Sequence, residues 1–78
     1  VIVAECWTPM YESWLSTVPD PAATRAAIES RIPLGHRMTT GNEIAHTVAF
    51  LLSNRSSHTT GQLIHVDGGY VHLDRAIS

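Results

Sequence analysis

The chain has 78 residues, 44% of them apolar, and a formal net charge of -2. That allows one small domain at most and gives no basic excess for a nucleic-acid partner. Cys6 is the only cysteine, so no internal disulfide can staple a fold that is marginal at this size. The opening Val1-Ile2-Val3-Ala4 has no basic region and no apolar run long enough for a signal or a membrane span. We therefore expect a piece of a soluble, cytoplasmic protein with no membrane partner.

Residues 1–6 are apolar and mostly β-branched apart from Glu5, which suits the end of a buried strand in a parallel sheet. Thr8-Pro9 then gives an N-cap followed by proline at the first helical position, with Met10, Tyr11, Trp14 and Leu15 at helical spacing behind it. Pro19 and Pro21 break that helix, and Asp20-Pro21 repeats the same start signal for a second helix reaching Arg31. The pair is expected to form a helical hairpin. Ile32-Pro33-Leu34-Gly35 is a loop, and Thr40 with Glu43 three residues on fits a capping box, the strongest local signal in the chain. Beyond it Ile44, Val48, Leu51 and Leu52 line one face at helical period, with Ala45 and Ala49 beside them for close approach to a sheet. Residues 54–61 form a polar loop, and residues 62–66 form a strand ended by Asp67-Gly68-Gly69, where glycine permits special backbone angles. Two strands and three helices make an α/β reading, and two parallel strands leave most sheet hydrogen bonds to be completed from elsewhere.

Other constellations have plain readings. Five histidines include no His-x-x-x-His pair, and Cys6 is far from all of them in sequence, so no metal is expected. His46 falls off the apolar stripe of its helix, and His65 shares a strand face with Leu63, where packing or a subunit contact is the default. Cys6 reads as a small apolar residue. Asp67-Gly68-Gly69 lacks the third glycine and the following helix of a phosphate loop, which favours a structural turn.

The blocks Thr8-Pro9-Met10, Ile32-Pro33-Leu34-Gly35 with Arg37, Glu43-Ile44-Ala45, Val48-Ala49-Phe50-Leu51-Leu52-Ser53, and Thr60-Gly61-Gln62 through Asp67-Gly68-Gly69 cover nearly the whole chain. Their order and spacing resemble the C-terminal part of a short-chain dehydrogenase/reductase. Glu5, Tyr11, Trp14, Met38-Thr39-Thr40, His58-Thr59-Thr60 and the run from Tyr70 to Arg75 are similar to the sugar-oxidising branch of that family. The resemblance implies that residues 1–78 are the C-terminal segment of one Rossmann-type, doubly wound parallel-sheet domain whose N-terminal part is absent. It implies NAD or NADP as cofactor and an NAD(P)-dependent oxidoreductase acting on a small-molecule sugar or polyol alcohol, L-fucose-like. It also implies a homo-oligomer, dimer or tetramer, associating through the last helix and strand.

Residue by residue, the resemblance gives Thr8 to the cofactor near its pyrophosphate and carboxamide. Cys6 meets the nicotinamide amide through its main chain, and Met10 together with Tyr11 offers helix-start N–H groups to phosphate oxygens. Residues 9–31 correspond to the substrate loop, so Tyr11 and Trp14 could supply aromatic surface and Glu5 a carboxylate for sugar hydroxyls. Against this, aromatics at helical spacing are more often core, and a Glu at a strand end is more often solvated. The chain departs from the family in carrying Val3-Ala4 where Pro-Gly is usual. It contains no lysine, and Tyr11 and Tyr70 are followed four residues on by Leu15 and Asp74, so no Tyr-x-x-x-Lys pair is present and the fragment alone is expected to be inactive. The alternative is a non-catalytic fragment acting as an interaction or oligomerisation module.

Overall fold

The structure is a computed structural model describing residues 1–73; Asp74 and Arg75, which belong to the run similar to the sugar-oxidising branch, lie outside the described residues. In chain order it contains β1 (Ile2–Val3), α1 (Pro9–Leu15), α2 (Pro21–Ser30), α3 (Gly41–Leu52) and β2 (His65–Val66), with 3₁₀ turns at Asn54–Ser56 and Tyr70–His72. The two strands pair in parallel, Ile2 opposite His65 and Val3 opposite Val66, and the helices form the crossover between them, as a parallel connection requires.

Each helix begins where the local chemistry places it. Thr8 accepts a hydrogen bond from the Tyr11 N–H and Asp20 from the Ala23 N–H, each ahead of a proline in the first turn. At α3, Thr40 Oγ1 accepts from the Glu43 N–H while the Glu43 carboxylate accepts from the Thr40 N–H, so two otherwise orphaned donors are satisfied reciprocally.

The strands are shorter than the sequence reading. The expected strand over residues 1–6 holds ladder pairing only at Ile2–Val3, and both residues are exposed rather than buried. The expected strand over residues 62–66 is paired only at His65–Val66. A two-stranded ladder offers one edge to each strand, and after Val3 the chain bends away to a new partner. Cys6 forms a parallel bridge with Thr39, closed by Thr39 N–H to Glu5 C=O and Trp7 N–H to Thr39 C=O, both 3.0 Å. The loop over residues 54–61 also departs from expectation at its start, where Ser56 is buried in a 3₁₀ turn and donates to the Leu51 and Ser53 carbonyls.

The buried apolar residues are Leu15, Ile32 and Met38. Ile32, 2% exposed, sits under the turn that follows β2. Gly68 there has φ +63° and so close an approach that a Cβ would meet Ile32 Cγ2 at 2.7 Å, which is why only glycine fits. Leu34 N–H donates to Gly68 C=O at 2.9 Å, and the buried Asp67 carboxylate accepts from the Gly69 and Val71 N–H groups, each at 3.0 Å. The structural reading of Asp67-Gly68-Gly69 is what the geometry shows. The radius of gyration, 14.8 Å, exceeds the roughly 11.5 Å of a compact domain of this length. The apolar stripe of α3 matches that openness, since none of its residues is buried. Among the described residues no helix is long and apolar enough to cross a membrane, and no three His, Cys, Asp or Glu side chains are grouped as metal ligands.

Candidate functional site

The stretch from Glu5 to Trp14 brings the sequence-derived candidates together. Thr39 holds it from one side through the two bridging hydrogen bonds, and Thr39 Oγ1 in turn donates to the Val66 C=O at 3.3 Å. In a parallel bridge the residue opposite the bonded one turns its own N–H and C=O the other way. Cys6 therefore directs its main-chain polar groups away from Thr39, toward the side where a further strand or a ligand can meet them. That is the geometry a main-chain contact from Cys6 needs. Its thiol is half-buried and unpaired.

Thr8 is half-buried, and its hydroxyl oxygen is engaged by Tyr11 N–H at 3.1 Å, which leaves the hydroxyl proton available to donate elsewhere. The expectation that both Met10 and Tyr11 present N–H groups is corrected here. The Tyr11 amide is consumed by the Thr8 cap, and the Glu12 amide bonds the Thr8 C=O at 2.9 Å. Met10 keeps the outward amide because proline precedes it and no capping acceptor reaches it. Its side chain is 81% exposed.

Tyr11 joins α1 to the loop before it. Its phenol donates to Glu5 Oε2 at 2.5 Å, and its ring meets Trp14 edge to face with centroids 5.6 Å apart, a favoured aromatic geometry. Burial, reinforced by the hydrogen bond to Glu5 and by that carboxylate's charge, pushes the Tyr11 phenol well above its ordinary range. It therefore stays protonated and cannot act as a base at neutral pH. Trp14 is 50% exposed. The core reading of the two aromatics does not hold for it, because the buried residue of α1 is the neighbouring Leu15. Thr8, Met10, Tyr11 and Trp14 line one concavity of about 360 Å³; Glu5 is bonded to Tyr11 and lines a separate, smaller cavity.

Two features were not legible in the sequence. Arg25 of α2 stacks over the Trp7 indole at 3.9 Å from the ring centroid, a cation–π contact, while its Nε donates to Glu29 Oε1 at 2.6 Å. No local pattern links positions 7 and 25; the α1–α2 turn brings them together. Likewise Glu5, Arg31 and Tyr70, from three separate parts of the chain, line a smaller cavity of about 120 Å³ with Ala27 and Ile28.

A larger concavity, about 610 Å³, lies elsewhere, between the start of α3 and the open side of β2. Its charged pair is already satisfied: Arg37 donates through both terminal nitrogens to Glu43, at 2.7 and 2.8 Å. With the Thr40 amide as a further donor, the Arg37 guanidinium holds the Glu43 carboxyl down at about 2. We read this concavity as the unfilled flank of a small sheet, since its Arg37–Glu43 pair and its Asp67 carboxylate are spent on structure.

Comparison with known proteins gives the class. A family profile described as Enoyl-(Acyl carrier protein) reductase matches residues 6–71, and the chain belongs to the short-chain dehydrogenase/reductase family. Its particular neighbours are oxidoreductases by name. L-xylulose reductase of Bos taurus is 44% identical over 64 residues, 82% of this chain and 24% of that protein. A 3-oxoacyl-(acyl-carrier-protein) reductase of Thermotoga maritima is also 44% identical over 64 residues, 82% of this chain and 23% of that protein. The solved structure titled Cj0485 dehydrogenase superimposes with a TM-score of 0.88 at 57% identity, covering 95% of this chain and 28% of that one. The α/β arrangement thus matches part of a Rossmann-like fold, and the chain spans about a quarter of the length of these relatives.

Proposed function

We propose that these residues serve an NAD(P)-dependent oxidoreductase that removes hydride from an alcohol carbon of a sugar or polyol, with L-fucose-like sugars as the substrate class. The observation that carries the reading is one of placement. An open main-chain edge at Cys6 and an available hydroxyl proton at Thr8 lie in the same short stretch as the aromatic concavity of Tyr11 and Trp14, with Glu5 bonded to it. The first two fit a nicotinamide dinucleotide, which when bound supplies the hydride acceptor. Cys6 would hold its carboxamide through the main chain, Thr8 would donate to it, and the outward amide of Met10 would meet phosphate oxygen. Glu5, Tyr11 and Trp14 would orient the substrate, the carboxylate accepting from a hydroxyl and the rings covering apolar carbon faces.

The substrate class rests on the resemblance of Glu5, Tyr11, Trp14, residues 38–40, residues 58–60 and the run from Tyr70 to Arg75 to L-fucose-oxidising members of the family, and is supported by a relative named L-xylulose reductase. The base that takes the hydroxyl proton would be the tyrosine of a Tyr-x-x-x-Lys pair. These 78 residues contain no lysine, so activity belongs to a longer chain and the isolated fragment is inactive. Homo-oligomerisation through α3 and β2 fits the exposure of Leu52, and of Leu63 at 74%, because apolar residues beside an open strand edge favour a covering partner. The test is turnover by the full-length protein with L-fucose and either NAD or NADP. Reduced nicotinamide should accumulate with the sugar, and Thr8→Ala should slow it; no reduction with any sugar or polyol would overturn the substrate reading.

A further inference from the structure

The cavity beside Glu5 has chemistry that the cofactor and aromatic surfaces do not account for. Three unconnected elements build it. Glu5 follows β1 and is fixed by Tyr11, whose phenol occupies Oε2 and leaves Oε1 able to accept. Arg31 is the C-cap of α2, its main-chain N–H bonded to Ile28 and its position set by the end of that helix. Tyr70 is presented by the Asp67 turn, in which the buried carboxylate holds the Gly69 and Val71 amides on either side of it. Ala27 and Ile28 supply the apolar wall.

Glu5 and Arg31 line one cavity of about 120 Å³ yet form no ion pair. The ion pairs among the described residues are Arg25 with Glu29 and Arg37 with Glu43. Glu5 is half-buried and Arg31 exposed, and opposite charges on the rim of one space that do not close on each other leave an acceptor and a set of donors for something between them. Neither the Arg31 guanidinium nor the Tyr70 hydroxyl has a hydrogen-bond partner among the described residues. The volume is well above what a single water needs and far below the roughly 300–1,000 Å³ of a complete small-molecule site, so it takes one end of a ligand. A neutral group that both donates and accepts on adjacent atoms matches this arrangement, and an anion or a cation would leave one of the two charges opposed.

We propose that Glu5, Arg31 and Tyr70 form a subsite for a vicinal diol, one hydroxyl donating to the Glu5 carboxylate and its neighbour accepting from Arg31, with Tyr70 closing the pocket. The inference rests on the sugar-directed reading above and extends it to two residues, Arg31 and Tyr70, and to a feature of the substrate. It makes them specificity-determining residues, while the hydride chemistry lies elsewhere.

The test uses the full-length protein, with L-fucose as the diol-bearing probe and a deoxy analogue lacking one of the adjacent hydroxyls. Binding is read by calorimetry and turnover by reduced nicotinamide. Arg31→Leu and Tyr70→Phe should each weaken L-fucose binding, the first about tenfold, as the loss of a hydrogen bond to a charged group implies. Both should leave affinity for the dinucleotide unchanged, and the analogue should bind wild type and Arg31→Leu alike. Arg31→Lys should restore part of the affinity. Sugar turnover with normal affinity in both variants would overturn the subsite while leaving the oxidoreductase reading intact. Sugar binding that depends on Arg31, without any hydride transfer, would support the subsite and defeat the oxidoreductase reading. Equal losses for the sugar and its analogue would overturn it as well, because they would report a structural role.

Discussion

The stretch from Glu5 to Trp14, a bridged segment running into α1, and the clasp between Ile32 and the Asp67-Gly68-Gly69 turn are both held by side chains, and they use their polar groups in opposite ways. In the clasp, hydrogen-bonding capacity is spent internally: Asp67 serves two amides, Gly68 C=O takes the Leu34 N–H, and the site closes over Ile32. In the other stretch, Thr8 keeps its proton, Cys6 turns its main chain outward, Met10 keeps an amide, and Trp14 stays half-exposed. Satisfied and buried groups mark what holds the fold; ordered groups with capacity left over are where we propose that a ligand is met.

The largest expected effects therefore fall in the clasp. Gly68→Ala in the full-length protein forces a Cβ to 2.7 Å from Ile32 Cγ2 at a positive φ, and overpacking and backbone strain together should cost about 2–4 kcal/mol, read by denaturant unfolding. Asp67→Ala orphans two amides and should cost about 1–3 kcal/mol by the same measurement. If either variant unfolds like wild type, the clasp is not what anchors this region. Smaller is Arg25→Met, which removes the cation at the Trp7 ring and should cost about 0.5–1 kcal/mol. The smallest is acid dependence. Because Glu43 titrates at about 2 in the folded protein against an ordinary 4.5, the unfolded chain takes up the proton first. The Glu43 contribution is thus fully present above about pH 4.5 and is lost as pH falls toward 2. Glu43→Gln should remove that part of the acid slope.

Helix starts were legible because their signals are local. Thr8-Pro9, Asp20-Pro21 and Thr40 with Glu43 each act within one turn, and all three caps form. Strand length was not legible: apolar, β-branched residues show that a segment can pair but not how many partners are present, and here Ile64 gives only its carbonyl to Ile2 N–H while Leu63 carries strand chemistry outside the ladder. At the site, Glu5, Tyr11 and Trp14 could be grouped from sequence because they lie three to nine positions apart around one helix start. Arg31 and Tyr70 could not, since their meeting with Glu5 depends on the α1–α2 hairpin and on the turn built by Asp67. The Tyr11 amide was misjudged for a related reason, as a good N-cap uses the same donor that a phosphate would.

The most direct test is a titration of the isotope-labelled full-length protein with NAD or NADP, following backbone amide resonances. The resonances of Cys6, Trp7, Thr8 and Met10 should shift on binding, while those of Gly69 and Val71, already bonded to Asp67, should stay in place. Shifts centred on Asp67 to Val71, with residues 6–10 unmoved by either dinucleotide, would contradict this placement of the cofactor.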